Sequence, residues 1–174
     1  VVHRLDKDTS GAILFAKNDR THQFLQNQFM ERSIGKTYLA LTDGFPPTPT
    51  GKIDAAIGRD PRNRQKMAVV PEDKGKQALS QYKVVERYEK HALIEVQIFT
   101  GRTHQIRLHL AFVGCPVVGD KLYGRMKATT DAQRQMLHAW KLAFEIPGEG
   151  RREFIAEPPE DFNQIRTKLQ EHRS

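Results

Sequence analysis

KVVERYEKHALIEVQIFTGRTHQIRLHLAFV, residues 83–113, changes its period once, and that change sets the architecture. Lys83 to Arg87 and the apolar-rich Leu93 to Phe99 read as strands, separated by a polar turn around Glu89 and Lys90. After Thr100 the spacing becomes helical. Ile106, Leu110 and Val113 fall at i, i+4 and i+7, one apolar stripe that Gly114 can end. Arg107 lies beside that stripe, at its boundary with the polar face.

Working outward, the same mixture recurs. Ala12 to Ala16 reads as a short buried strand, and Asn18 or Asp19 can cap a helix running to about Arg32. KTYLALTDG (36–44) is a second strand, closed by Gly44-Phe45-Pro46-Pro47, and Lys52 to Ile57 resumes an extended pattern before the loop GRDPRNRQKM (58–67). Beyond the tight segment GDKLYG (119–124), a helical stretch is expected around Asp131 to Ala139. Lys141–Ile146 and Arg152–Glu157 flank Pro-Gly-Glu-Gly as a hairpin, and Asp161–His172 reads as a terminal helix. Strands outnumber helices and adjoin one another without regular βαβ alternation. That order predicts an α+β domain with a mixed, largely antiparallel sheet flanked by helices and loops.

The chain has 174 residues, enough for one domain, and its Lys and Arg exceed its Asp and Glu by 7. The whole excess lies in residues 1–125, because residues 126–174 carry eight of each sign. A pI near 9.6 suggests a polyanionic partner, although a solvated basic surface has the same composition. Arg59, Arg62, Arg64 and Lys66 cluster in one loop, as a phosphate-contacting arm would require. No apolar run is long enough to span a membrane. A lone Cys115 excludes an internal disulfide and fits a reducing compartment.

Several easy motifs fail on chemistry. Asp6, Asp8, Ser10 and Gly11 match the first half of an EF-hand loop, but its bidentate glutamate position holds Lys17. GKT (35–37) would need a glycine where Met30 stands to end a phosphate-binding loop. His104 and His109 are five apart, near opposite faces of a helix, and no thiolate pair accompanies them, so no metal site is expected. No nucleophile elbow is present.

Three segments remain: HRLDKDTSG (3–11), KTYLAL (36–41) and TGRTHQIRLHL (100–110), the last followed by GCPVVGDKLYG. In order and approximate spacing they resemble the RluA-type pseudouridine synthase family, and the similarity continues through GKQALSQY and the LHA at 137–139. The resemblance implies a pseudouridine synthase fold around a central catalytic cleft. It further implies that Asp6 is the catalytic aspartate, Tyr38 the active-site tyrosine and Arg107 the arginine that pairs with the aspartate. Arg4 matches an arginine that in some relatives enters the space left by the flipped base. Arg102, His104 and the basic loop would face RNA, and Leu137 would wall the uracil pocket. Thr9, Ser10 and Gly11 read as turn chemistry that holds Asp6.

The expected activity is isomerisation of particular uridines to pseudouridine in structured RNA, large-subunit ribosomal RNA first. Transfer RNA, or an inactive RNA-binding module of the same fold, are the alternatives. The isomerisation adds and removes nothing, so no cofactor or metal is implied. A cytoplasmic, monomeric protein is expected. Members usually carry sequence before the first motif, so residues 1–174 read as a catalytic domain without its N-terminal part or any preceding RNA-binding domain.

Overall fold

A computed structural model describes residues 1–172. In chain order its elements are β1 (Ser10–Gly11), α1 (Asp19–Met30), β2 (Gly35–Asp43), β3 (Thr50–Asp54), β4 (Ile57–Arg59), β5 (Met67–Val69), β6 (Leu79–Arg87), β7 (His91–Ile98), α2 (Gln105–Phe112), β8 (Leu137–Ile146), β9 (Gly150–Ile155) and α3 (Glu160–Gln170). Among the described residues, seven strands form one sheet in the order β1-β8-β2-β7-β6-β3, with β9 also on β8. Every pairing in it is antiparallel except β1 with β8. The fold is α+β, as the sequence implies.

The central strands β2 and β7 are paired on both edges, and their alternating side chains feed two cores. Ala40, Ile94, Val96 and Ile98 pack with Ile106 and Leu110 of α2 on one face. Leu39, Leu41 and Leu93 pack with Phe162, Ile165 and Leu169 of α3 on the other. Burying each large aliphatic side chain contributes about 1.5–3 kcal/mol, so this double-sided packing fixes the middle of the sheet most firmly. The cleft described below opens against that rigid part.

The structure changes four details of the sequence reading. Ala12 to Ala16 forms no ladder: Ala12 donates to Ala139, but Ile13 and Phe15 are exposed while Ala12, Leu14 and Ala16 pack inward. The expected helix over 131–139 is irregular chain leading into β8, because β2 lies along one edge of that strand and β1 then β9 along the other. Sheet pairing on two edges outweighs a local helical preference. The loop 58–67 is largely a hairpin in which β4 pairs β5. Helix α2 is buried on more than one stripe, since Gln105, Arg107, Leu108 and His109 are also withdrawn from water. Leu108 meets Ile57 and Ala78, with Met67, Val69 and Tyr123 packed against them, so the β4–β5 hairpin covers the side expected to face solvent.

A hydrogen-bond network seats α2. Gln105 accepts from Thr100 at 2.7 Å and donates to Leu79 O and Ser80, while His109 is bonded to Ser80 at 2.8 Å and to Ala55 O at 2.9 Å. Burial lowers the pKa of His109, so the imidazole is a neutral structural group.

Candidate active site

Asp6 stands at the start of a turn that the rest of the chain holds from beneath. Thr9 N–H closes it on Asp6 C=O at 3.0 Å, and Asp8 takes the left-handed backbone, φ 68°. Asp tolerates that region better than most residues. Gln135, itself buried, donates to Lys7 C=O at 2.6 Å and to Thr9 Oγ1 at 3.2 Å. Arg134 donates to Asp8 C=O at 2.9 Å and pairs with Asp161 at 2.7 Å, tying the turn to the start of α3. Ser10 bonds His138 at 2.8 Å. Gly11 is required where it lies: a Cβ there would meet Ala139 O at 2.2 Å, and its φ is 125°. The turn chemistry expected of Thr9, Ser10 and Gly11 is present. Its clamps, Arg134, Gln135 and His138, lie in the stretch read as a helix, and Arg134 and Gln135 fall outside the LHA motif at 137–139 that marks Leu137.

The Asp6 carboxylate, 27% exposed, faces Arg107 Nη1 at 3.6 Å. That distance is an ionic contact, longer than a hydrogen bond. Arg107 spends its hydrogen bonds elsewhere, donating to both oxygens of Asp120 at 2.7 and 2.9 Å. The Asp120 side chain is fully buried and also accepts the backbone N–H groups of Leu122 and Tyr123. Burial opposes the charge on Arg107, and Asp120, with Asp6 adding to it, more than restores it, so the pKa is raised. Tyr123 completes the mount: its ring lies 5.2 Å from the guanidinium and its hydroxyl bonds His104 Nδ1 at 2.7 Å. Asp120 and Tyr123 are functional candidates that the sequence reading misses, although both sit in the tight segment GDKLYG.

Asp6 opens into a cavity of about 470 Å³. Tyr38, Arg4, Arg102 and Leu137 line it with Asp6, so five of the expected site residues meet there. Leu137 also belongs to the core, which makes it a fixed wall. Burial first, and the nearby Asp6 carboxylate second, raise the pKa of Tyr38, so its phenol stays protonated and presents a neutral ring. Arg107 lies behind Asp6, outside the lining. His104, at the left-handed N-cap of α2, is held by Tyr123 and does not line the cavity; burial lowers its pKa. Arg59, Arg62, Arg64 and Lys66 stand at the β4–β5 hairpin, away from the cavity lining, with the three arginines exposed. Among the described residues no group of three or more His, Cys, Asp or Glu could hold a metal ion.

His3 lines the cavity beside Asp6's turn. It stacks on Phe29 with ring centres 5.1 Å apart, and its Nε2 accepts the Leu14 N–H at 2.9 Å. Burial, then the charge of Lys36, pushes its pKa down to about 4. A base whose folded pKa is depressed adds stability that is complete above its unfolded value near 6.5 and is lost as pH falls toward 4. Replacing His3 with Gln is therefore expected to flatten the dependence of Tm on pH between those values, measured by thermal melts; an unaltered slope would show that His3 is not held neutral.

The N-terminal two thirds of the chain, residues 1–112, match the sequence profile of RNA pseudouridylate synthases. The chain belongs to that family. It is 45% identical to an uncharacterized RNA pseudouridine synthase of Chloroflexus aurantiacus, across 100% of this chain and 54% of that protein. It is 43% identical to the ribosomal large subunit pseudouridine synthase D of Zymomonas mobilis, across 92% of this chain and 53% of that protein. The chain thus spans about half the length of the curated relatives it matches. Among solved structures, human RNA pseudouridylate synthase domain containing 1 superposes with a TM-score of 0.81 at 28% identity, covering 97% of this chain and 79% of that one. No helix among the described residues is long and apolar enough to cross a membrane.

Proposed function

We propose that this protein is an RNA pseudouridine synthase that isomerises particular uridines in structured RNA, large-subunit ribosomal RNA above all. The observation that carries the reading is the meeting of Asp6 and Tyr38 on one cavity, with the Arg107 guanidinium 3.6 Å from the carboxylate. The relatives named for the ribosomal large subunit support the choice of RNA. Asp6 is the catalytic carboxylate, its charge answered by Arg107. Tyr38 offers the face on which an extruded uracil stacks, a contribution of about 1–3 kcal/mol toward the few kcal/mol that unstacking costs. Arg4, exposed at the cavity mouth, fills the place the base leaves in the RNA. In the reaction the N1–C1′ bond breaks, uracil turns, and a C5–C1′ bond forms. The C5 proton departs and N1 gains one, so the balance needs no oxidant, reductant or added group.

The direct test is to incubate the full-length protein with ribosomal and transfer RNA from cells lacking its gene, and to map pseudouridine. New pseudouridine at defined large-subunit positions is expected. Modification of transfer RNA alone would overturn the choice of RNA, and modification of neither would overturn the activity.

The hairpin cations act at a distance from the chemistry. Replacing Arg59, Arg62 and Arg64 together with Gln is expected to weaken RNA binding and to lower the slope of log affinity against log salt by about 2, at roughly 0.7–0.9 for each phosphate that is no longer neutralised. Filter binding across a salt series measures it, and an unchanged slope removes the hairpin from the interface.

A further inference from the structure

The cavity at Asp6 does not end at the uracil position. Phe29, Lys36, Gly101 and Arg102 line it and also line a second cavity of about 240 Å³. The second cavity adds Arg32 and Thr100 and contains no acidic side chain. Three cations around a small polar hollow define the chemistry of what would fill it: an anion of one or two charges.

Lys36 is the most informative of the three. It is half-buried on β2, and among the described residues it has no ion pair. Its ammonium rests 5.4 Å over the Phe29 ring and close to Gly101, where an added Cβ would come within 3.3 Å of Nζ. A lysine with that reach normally carries its charge to bulk water or to a carboxylate. Here burial lowers its pKa with no acid to offset the cost. Arg102 is braced rather than free to swing, since its Nε donates to Gln77 O at 2.7 Å, and no hydrogen bond from its two terminal nitrogens is present among the described residues. Arg32 holds left-handed backbone, φ 56°, just past the end of α1. A glycine would adopt that conformation more cheaply.

Position narrows the anion. Lys36 and Tyr38 are two residues apart on one face of β2, about 7 Å along the strand, a separation comparable with one backbone unit of single-stranded RNA. We propose that Lys36, with Arg102 and Arg32, forms a subsite for the phosphodiester next to the flipped uridine, so that the extruded nucleotide is gripped by its backbone as well as its base. This assignment rests on the base-flipping reading above. It also gives the cleft a way to tell a uridine within a chain from free uracil or uridine, which lack that phosphate.

The test uses a uridine pentamer and the same pentamer with uncharged methylphosphonate linkages flanking its central nucleotide. Binding to the parent protein and to its Lys36→Met and Lys36→Arg variants is measured by fluorescence anisotropy across a salt series. For the charged pentamer, Lys36→Met is expected to weaken binding about tenfold and to lower the salt slope by about 0.7, the value for one single-strand phosphate, while Lys36→Arg retains both. For the uncharged pentamer the same replacement should change affinity less than about twofold. Equal weakening of both pentamers, an unchanged salt slope, or no binding by the parent protein overturns the subsite. Pseudouridine mapping separates the two claims. Modification without a phosphate-dependent Lys36 effect removes the subsite alone, and a phosphate-dependent effect without modification removes the isomerase reading alone.

Discussion

Asp6→Asn is expected to abolish pseudouridine formation, by at least about a thousandfold, while folding and RNA binding remain. The carboxamide has the shape of the carboxylate but neither its charge nor its nucleophilicity. The exchange should not unfold the site, because Arg107 keeps both of its hydrogen bonds to Asp120 and the turn is clamped by Gln135 and Arg134 through backbone groups of Lys7 and Asp8. Affinity for RNA should change little, since removing an anion from a basic cleft does not weaken its hold on phosphates. RNA labelled with tritium at C5 of uridine gives the readout, because that hydrogen is released when the C5–C1′ bond forms. Retention of activity within about tenfold of the parent would remove Asp6 from the chemistry. A fall in Tm of several degrees would instead assign the loss to folding.

How much of this is legible in the sequence depends on whether the controlling interactions are local. Strand β7 can be read because Leu93 to Phe99 is apolar over strand length, and α2 because Ile106, Leu110 and Val113 repeat at helical spacing. The second half of β8 can be read too, since Lys141 to Ile146 is one arm of the expected hairpin and pairs with β9. The first half cannot, because its partners are β1, more than a hundred residues earlier, and β2, and their two edges make Leu137 to Ala139 extended. The same distance hides Arg134 and Gln135, whose side chains bond to a turn 126 to 128 residues away. For the site, Asp6, Tyr38 and Leu137 stand out through their motifs and do meet on one cavity. Arg107 is expected beside Asp6, yet the direct hydrogen-bonding partner of its guanidinium is Asp120. Asp120 follows Gly119, whose φ of 78° and close approach to Arg134 O leave no room for a side chain, so the acid is delivered beneath α2 by a turn. Nothing in the helical periodicity shows that Arg107 is buried, because the groups around its guanidinium, Asp120, Tyr123 and Asp6, come from the turn after α2 and from the start of the chain.

The second large effect concerns that buried pair. Asp120→Ala is expected to destabilise the protein by roughly 3–5 kcal/mol, the usual cost of leaving one charge of a buried pair unanswered. At this chain length that corresponds to a fall in Tm on the order of 10 °C. The Leu122 and Tyr123 amides lose their acceptor at the same time, which adds to the penalty. Acid should expose the same dependence. Burial pushes the Asp120 carboxyl upward, but the hydrogen bonds and charge of Arg107 and the two amides outweigh it, and the pKa lies below the ordinary 3.8. A carboxyl depressed on folding contributes stability that is present above its unfolded value and lost as pH falls through the folded one. The parent should therefore lose stability steeply below about pH 4, and Asp120→Asn should lose less over that interval because it has no such proton to take up. Function should follow geometry. Without Asp120, Arg107 has only Asp6 to answer its charge, and closing the 3.6 Å gap would draw the Asp6 carboxylate out of the cavity. Pseudouridine formation by Asp120→Asn, assayed below its lowered Tm, is thus expected to fall in kcat more than in RNA affinity, and Asp120→Glu should recover part of it. Melting by circular dichroism and single-turnover rates measure the two parts. A double variant, Arg107→Met with Asp120→Leu, should melt above Asp120→Ala, since it leaves no fully buried charge unpaired, Asp6 being partly exposed. If Asp120→Ala melts within about 2 °C of the parent, the pair is not what holds Arg107 behind Asp6.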